Sequence, residues 1–269
     1  MDVTYISEID DARLSPYMGQ FDRKRHLKDR WFVAESRFLV ERLLETDWEL
    51  HSILVDDPEK VPPIPPHRKG QLPIYAVTRS AIQELVGFNF HRGVMAVGRR
   101  PERTAITDEL SLGETSWTVV AAANIGDAEN LGAIIRTACG FGVAAILLDS
   151  RCADAYSRRA LRVSTGHAFK IPIVESVDFL ADLEILKQRY QATLYATVLD
   201  EHAQPLARVV PGPRSVILMG NEGFGLDPQL IETCQQRVTI PMRRGSDSLN
   251  VAMATGICLY HFCGRDSFA

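Results

Sequence analysis

The sequence predicts an α/β protein whose larger part is built on a mainly parallel sheet, with a smaller α/β unit ahead of it. Three observations carry that expectation. From Trp117 onward, short apolar runs alternate with amphipathic stretches of helical period, the pattern of strands buried on both faces by helices. Three of the turns in that region place glycine or small polar residues directly after an apolar run and before a helix-like one. Residues before about position 100 show a separate, shorter rhythm of strand and helix signals.

In chain order, WFVAESRFLVERLLE carries Phe32, Phe38, Leu39 and Leu43 at helical spacing, and ELHSILVD then reads as a strand. VPPIPPHRKGQLP is a loop by its prolines; PIYAV, SAIQELV and RGVMAVGRR continue as strand, helix and strand. Residues 101–115 are polar without apolar period and are read as a linker between a domain at 1–100 and another at 116–269. The second domain runs WTVVAAA, AIIRTACGFG, AAILLD, a helix around RRALRVSTG, IPIVES, FLADLEILKQRY, TLYATVLD, SVILMG, a short helix near PQLIETCQQ, RVTIPM and a closing helix VAMATGICLYHF. Ligands of such sheets bind beyond the carboxyl ends of the strands, so the loops there are where chemistry is expected.

Composition narrows the classes. With 269 residues, two globular units are the natural expectation. The start, MDVTYISEIDD, lacks the basic and apolar regions of a signal peptide, and no apolar run is long enough to span a membrane, which points to the cytoplasm. Five cysteines without a C-x-x-C pair argue against a disulfide framework and against a metal site. A net charge of −4 gives no global pull toward nucleic acid, so any nucleic-acid binding would have to come from local basic clusters. Two exist: Arg23, Lys24, Arg25, Lys28 and Arg30, and Arg158, Arg159, Arg162 and Lys170. A charge run can equally be a solvated face.

The three glycine or polar loops each allow a structural and a functional reading. In NIGDAENLGAIIRTA, which begins at Asn124, Leu131, Ile134, Ile135 and Ala138 form the buried stripe and leave Arg136 off it. In SVILMGNEGFGL, Gly220, Gly223 and Gly225 permit close backbone approach or a tight turn, and Glu222 can accept hydrogen bonds or favour a helix start. In IPMRRGSDSLNVAMATG, Ser248 and Asn250 suit helix capping while still presenting polar atoms outward. No G-x-G-x-x-G fingerprint and no Walker A sequence occurs, which counts against a dinucleotide-dependent oxidoreductase.

Together, Asn130-Leu131-Gly132 with Arg136-Thr137, Gly220 through Gly225, and Ile240-Pro241-Met242 with Ser248-Leu249-Asn250-Val251 resemble, in order and spacing, the three signature motifs of the SpoU (TrmH-like) RNA 2'-O-ribose methyltransferases of the SPOUT superfamily. RVSTGHAFKIP is similar to a further family element, while Arg243-Arg244-Gly245 departs from the usual third motif. RKRHLKDRWFVAESRFLVERLL and FHRGVMAV resemble, more loosely, the family's L30-like substrate-binding domain.

The resemblance implies a catalytic domain with a deep trefoil knot, S-adenosyl-L-methionine as methyl donor, and pairing as a homodimer. It implies cofactor contacts at Thr197, Met219, Gly220, Asn221, Ile240, Met242 and Leu249. The resemblance gives Arg136 the central role near the ribose 2'-oxygen and an adjacent phosphate, with Asn130, Glu222, Ser248 and Asn250 organising the site. Arg23, Lys24, Arg25, Arg158, Arg159 and Arg162 become candidates for RNA phosphate contacts. The substrate is expected to be ribosomal rather than transfer RNA. A non-catalytic RNA-binding assembly protein on the same fold is the competing expectation.

Overall fold

The computed structural model describes residues 2–18, 30–87, 93–102, 104–110, 115–243 and 248–263. Two units are present: Met1–Glu102 together with Tyr156–Phe169, and Arg103–Ala155 together with Lys170–Ala269.

The first unit is a five-stranded mixed sheet made of β1 (Val3–Tyr5), β2 (Trp31–Glu35), β3 (Leu50–Val55), β4 (Ile74–Ala76) and β5 (Val94–Arg99), in the order β1-β4-β3-β5-β2. β4 pairs in parallel with β1 and β3, whereas β5 runs antiparallel to β3 and β2. Its longest helices among the described residues are α1 (Arg37–Leu44) and α2 (Arg79–Val86). The expected helix over WFVAESRFLVERLLE is therefore only its second half. Trp31–Glu35 is a strand, because a Trp-Phe-Val run suits a pleated surface. Ser36 then starts the helix by accepting a hydrogen bond from the Leu39 amide at 3.4 Å. Ser36 sits at φ 115° and ψ 151°, a region that favours glycine.

Successive residues of β2 point to opposite faces. Val33 joins Leu54, Ile82, Leu85, Met95 and Val97 in one buried cluster. Phe32 goes the other way, within 5.6–6.0 Å, centroid to centroid, of the rings of Trp48, Tyr156 and Phe169. That aromatic cluster is the physical reason why the stretch 156–169, read from sequence as part of the second domain, groups with the first unit.

The second unit is a seven-stranded sheet made of β6 (Trp117–Ala122), β7 (Ala145–Leu148), β8 (Ile173–Glu175), β9 (Thr193–Thr197), β10 (Gln204–Pro205), β11 (Arg214–Met219) and β12 (Gln236–Thr239). The order is β10-β12-β9-β11-β6-β7-β8, and every pairing is parallel. Its main helices are α3 (Ala128–Gly140), α4 (Phe179–Gln188) and α5 (Val251–Cys263). Within the stretch read as linker, Ile106 and Leu110 are buried in this unit's core beside Trp117, Val119 and Leu194. Two apolar side chains four residues apart are too few to register as a period, yet Ile106–Glu109 is helical.

All seven carboxyl ends lie on one edge, as parallel pairing requires. The loops after β6, β9, β11 and β12 open there, and the site is built from them.

Candidate active site

The loop after β11 is closed by its own backbone. Asn221 and Gly225 exchange amide-to-carbonyl bonds at 3.1 and 2.8 Å, and the Asn221 Oδ1 accepts from the amides of Gly223 and Phe224 at 2.9 and 3.1 Å. Gly225 has φ +70°, open to glycine. A Cβ at Gly220 would stand 2.5–2.7 Å from backbone atoms of Gly225 and Leu226, so this closure requires glycine at position 220.

Neighbouring strand ends are tied to it. Asn221 Nδ2 donates to the carbonyl of Asn124 at 3.0 Å, and the Asn124 amide donates to the Asp149 carboxylate, also at 3.0 Å. Asn124 holds a left-handed φ of 58°, which asparagine tolerates better than most residues. The loops after β6, β7 and β11 thus form one bonded set.

A second set crosses the three sequence motifs. Asp127 caps α3, its carboxylate accepting from the amides of Glu129 and Asn130. Asn130 Nδ2 donates to Glu222 Oε1, and Asn250 Nδ2 donates to Asn130 Oδ1 at 2.8 Å. Asn250 also starts α5, its Oδ1 accepting from Ala252 and Met253 amides at 3.0 and 3.3 Å, a cap worth about 1 kcal/mol. Of the two roles open to Glu222, the structure displays acceptance of a hydrogen bond; the following helix, Pro228–Thr233, is capped instead by Asp227.

Between these loops lies a cleft of about 450 Å³, within the range of about 300–1,000 Å³ usual for small-molecule sites. Thr197, Met219, Gly220, Asn221, Ile240, Met242 and Leu249 all line it, as do Glu222 and Ser248. Thr197 is fixed by donating its hydroxyl to the Leu218 carbonyl at 2.7 Å. The inner wall is apolar, from Leu206, Val238, Val251 and Ala254. Cys258 completes it; burial pushes its thiol up to about 12, so it is a packing group and not a nucleophile.

Arg136 is placed differently. It is exposed on α3 and is not among the residues that line the cleft of its own chain. Of the expected RNA contacts, Arg23, Lys24 and Arg25 lie outside the described residues. Arg158 forms an ion pair with Glu35, a carboxylate that is itself buried, inside the first unit. Arg159 and Arg162 are exposed on the helix Arg158–Val163. Sequence reasoning missed Asp149 and the bonding roles of Asn124 and Asn221. An aspartate directly after the apolar run AAILL was the available signal.

Comparison with known proteins gives concordant results. A profile of the SpoU rRNA Methylase family matches residues 118–260. An uncharacterised tRNA/rRNA methyltransferase of Mycobacterium bovis is 31% identical over 97% of this chain and 91% of its own length. The 23S rRNA (guanosine-2'-O-)-methyltransferase RlmB of Acinetobacter baylyi is 31% identical over 71% of this chain and 77% of its own. Among solved structures, an AdoMet-bound rRNA methyltransferase from Sinorhizobium meliloti superposes with a TM-score of 0.80 at 25% identity, covering 99% of both chains.

Proposed function

We propose, from the premise that the chain belongs to the SpoU rRNA methylase family, that it transfers a methyl group from S-adenosyl-L-methionine to a ribose 2'-hydroxyl of structured RNA, ribosomal rather than transfer RNA. The observation that carries this reading is the cleft, in which loops from the second and third sequence motifs meet around the glycine-dependent closure at Gly220. The RlmB relative is named for guanosine in 23S rRNA, which favours a ribosomal target.

The cleft fits the methyl donor by its chemistry. Apolar walls from Leu206, Val238 and Val251 suit the adenine ring, and Gly220, Ile240 and Leu249, which also line the cleft, are the residues whose backbone would contact the adenosine part. Thr197, Met219, Asn221 and Met242 complete the set that would hold it. When bound, S-adenosyl-L-methionine supplies an electrophilic methyl group.

The chain's own residues then have to align the accepting oxygen and stabilise charge on it, and alignment is the larger share. Glu222, Asn130 and Asn250 hold the three motif loops in register through their hydrogen-bonded chain. Ser248 is exposed and lines the cleft, where its hydroxyl is available to the substrate. Arg136 acts by positioning and electrostatic stabilisation of the 2'-oxygen or an adjacent phosphate, since an arginine is a poor general base.

Arg136 comes to this position through pairing of two copies. Met253, Ile257 and Tyr260 of α5 are 62%, 42% and 68% exposed, an apolar stripe at helical spacing. The Tyr260 ring meets Phe141, which follows α3 one turn beyond Arg136. Covering the stripe with a second copy brings Arg136 to the dimer interface, beside the partner's cleft. On this reading the C-terminal segment, which lines the cleft with Val251 and Ala254, is threaded through a loop as a trefoil knot. Among the described residues no helix is long and apolar enough to cross a membrane, which suits an enzyme of the cytoplasm.

The test is to map 2'-O-methyl groups in total RNA from cells with the gene, without it, and with R136A. A single mark absent from the last two strains is expected. Persistence of every mark would replace catalysis with RNA binding by an assembly factor.

A further inference from the structure

Phe224 is 91% exposed. It is also held in place: its amide donates to Asn221 Oδ1 at 3.1 Å inside the closed loop that carries Glu222. An aromatic side chain standing in water on a mobile loop would mean little, but here the backbone beneath it is bonded on both sides, through the Asn221–Gly225 exchange. Among the described residues that line the cleft, Phe224 is the aromatic one.

A ribose 2'-hydroxyl inside a stacked helix is poorly placed to enter a concave site, and enzymes acting on nucleotides commonly take them out of the stack. The displaced base then needs a new surface, and single-stranded bases are characteristically received on exposed aromatic faces. We infer that Phe224 is the platform on which the base of the target nucleotide stacks while its ribose enters the cleft beside Glu222. This rests on the RNA methyltransferase reading and adds to it the residue that receives the base. The platform takes any base through its π-face; it discriminates between stacked and unstacked nucleotides, not between guanine and adenine.

The experiment uses the full-length protein and ribosomal RNA from cells lacking the gene, in methyl-transfer kinetics for wild type, F224A, F224L and F224W. F224A is expected to raise KM for RNA about tenfold or more, the usual loss when one base–aromatic stack is removed, with S-adenosyl-L-methionine affinity by calorimetry and sedimentation as a dimer unchanged. F224W should restore KM, because it returns a π-face, and F224L should not. An F224A enzyme with the KM of wild type, or an F224L enzyme as good as F224W, overturns the platform. So does loss of dimer or of cofactor affinity in F224A, which would make Phe224 a subunit or cofactor contact. Wild-type protein that transfers no methyl to this RNA sinks the underlying function; a wild type that transfers and an F224A that matches it sinks the platform alone.

Discussion

The two units put sheets of different pairing to different ends. In the second, seven parallel strands deliver all their carboxyl ends to one edge, and the bonded loops enclose a cleft there. In the first, β2 and β5 run antiparallel to their neighbours, so loops are shared between both edges, and Phe32 and Val33 bury the two faces of the same strand. Direction of pairing decides whether a sheet makes a pocket or a scaffold.

Glycine substitution should separate the units most sharply. At Gly220 an added methyl meets backbone, at 2.5–2.7 Å, and G220A is expected to abolish S-adenosyl-L-methionine binding in calorimetry. At Gly98 the same methyl meets Phe32 Cζ at 2.7 Å and Leu43 Cδ2 at 3.2 Å, side-chain ends that can shift within a packed core. G98A should therefore cost about 1–3 kcal/mol of stability in denaturant titration while cofactor affinity stays as in wild type. Equal loss of binding in both would erase the contrast.

A next, intermediate effect tests the proposed pairing of two copies. R136A and G220A are each expected to be inactive alone, but mixing them after unfolding and refolding should regain about a quarter of wild-type activity, since half the dimers are mixed and one of their two sites is whole. No regained activity would place Arg136 with its own chain's cleft.

The smallest effects are expected on the helix Arg158–Val163. R158A leaves Glu35 buried without its arginine and should lower stability by about 1–3 kcal/mol. R162A, exposed, should leave stability alone and reduce the salt dependence of RNA binding by about one ion. The reverse pattern would exchange the structural and RNA-contact roles assigned to the two arginines.

The site was more legible in the sequence than the scaffold was. Motif residues stand in short local runs after strands, so Asn130, Glu222 and Asn250 could be named together, and the structure bonds them to one another. Arg136 could be named from its motif, but sequence period did not show that it stands exposed on α3 and does not line the cleft of its own chain. The helix–strand boundary at Ser36 was hidden because Phe32 has the spacing of a helical residue, while its neighbours have the side chains of a strand. Ile106 and Leu110 were hidden by the polar residues around them. What sequence period cannot carry is contact between distant stretches, and the ring cluster of Phe32 with Tyr156 and Phe169 is such a contact.

That cluster imposes an order on synthesis. Phe32 and Trp48 leave the ribosome well before Tyr156 and Phe169, which complete their packing. At about 5–20 residues per second, the gap after Glu102 amounts to several seconds. For that interval the nascent first unit carries an uncovered aromatic face, open to chaperones or to wrong partners, and it cannot finish folding before the Arg103–Ala155 part of the second unit has been made.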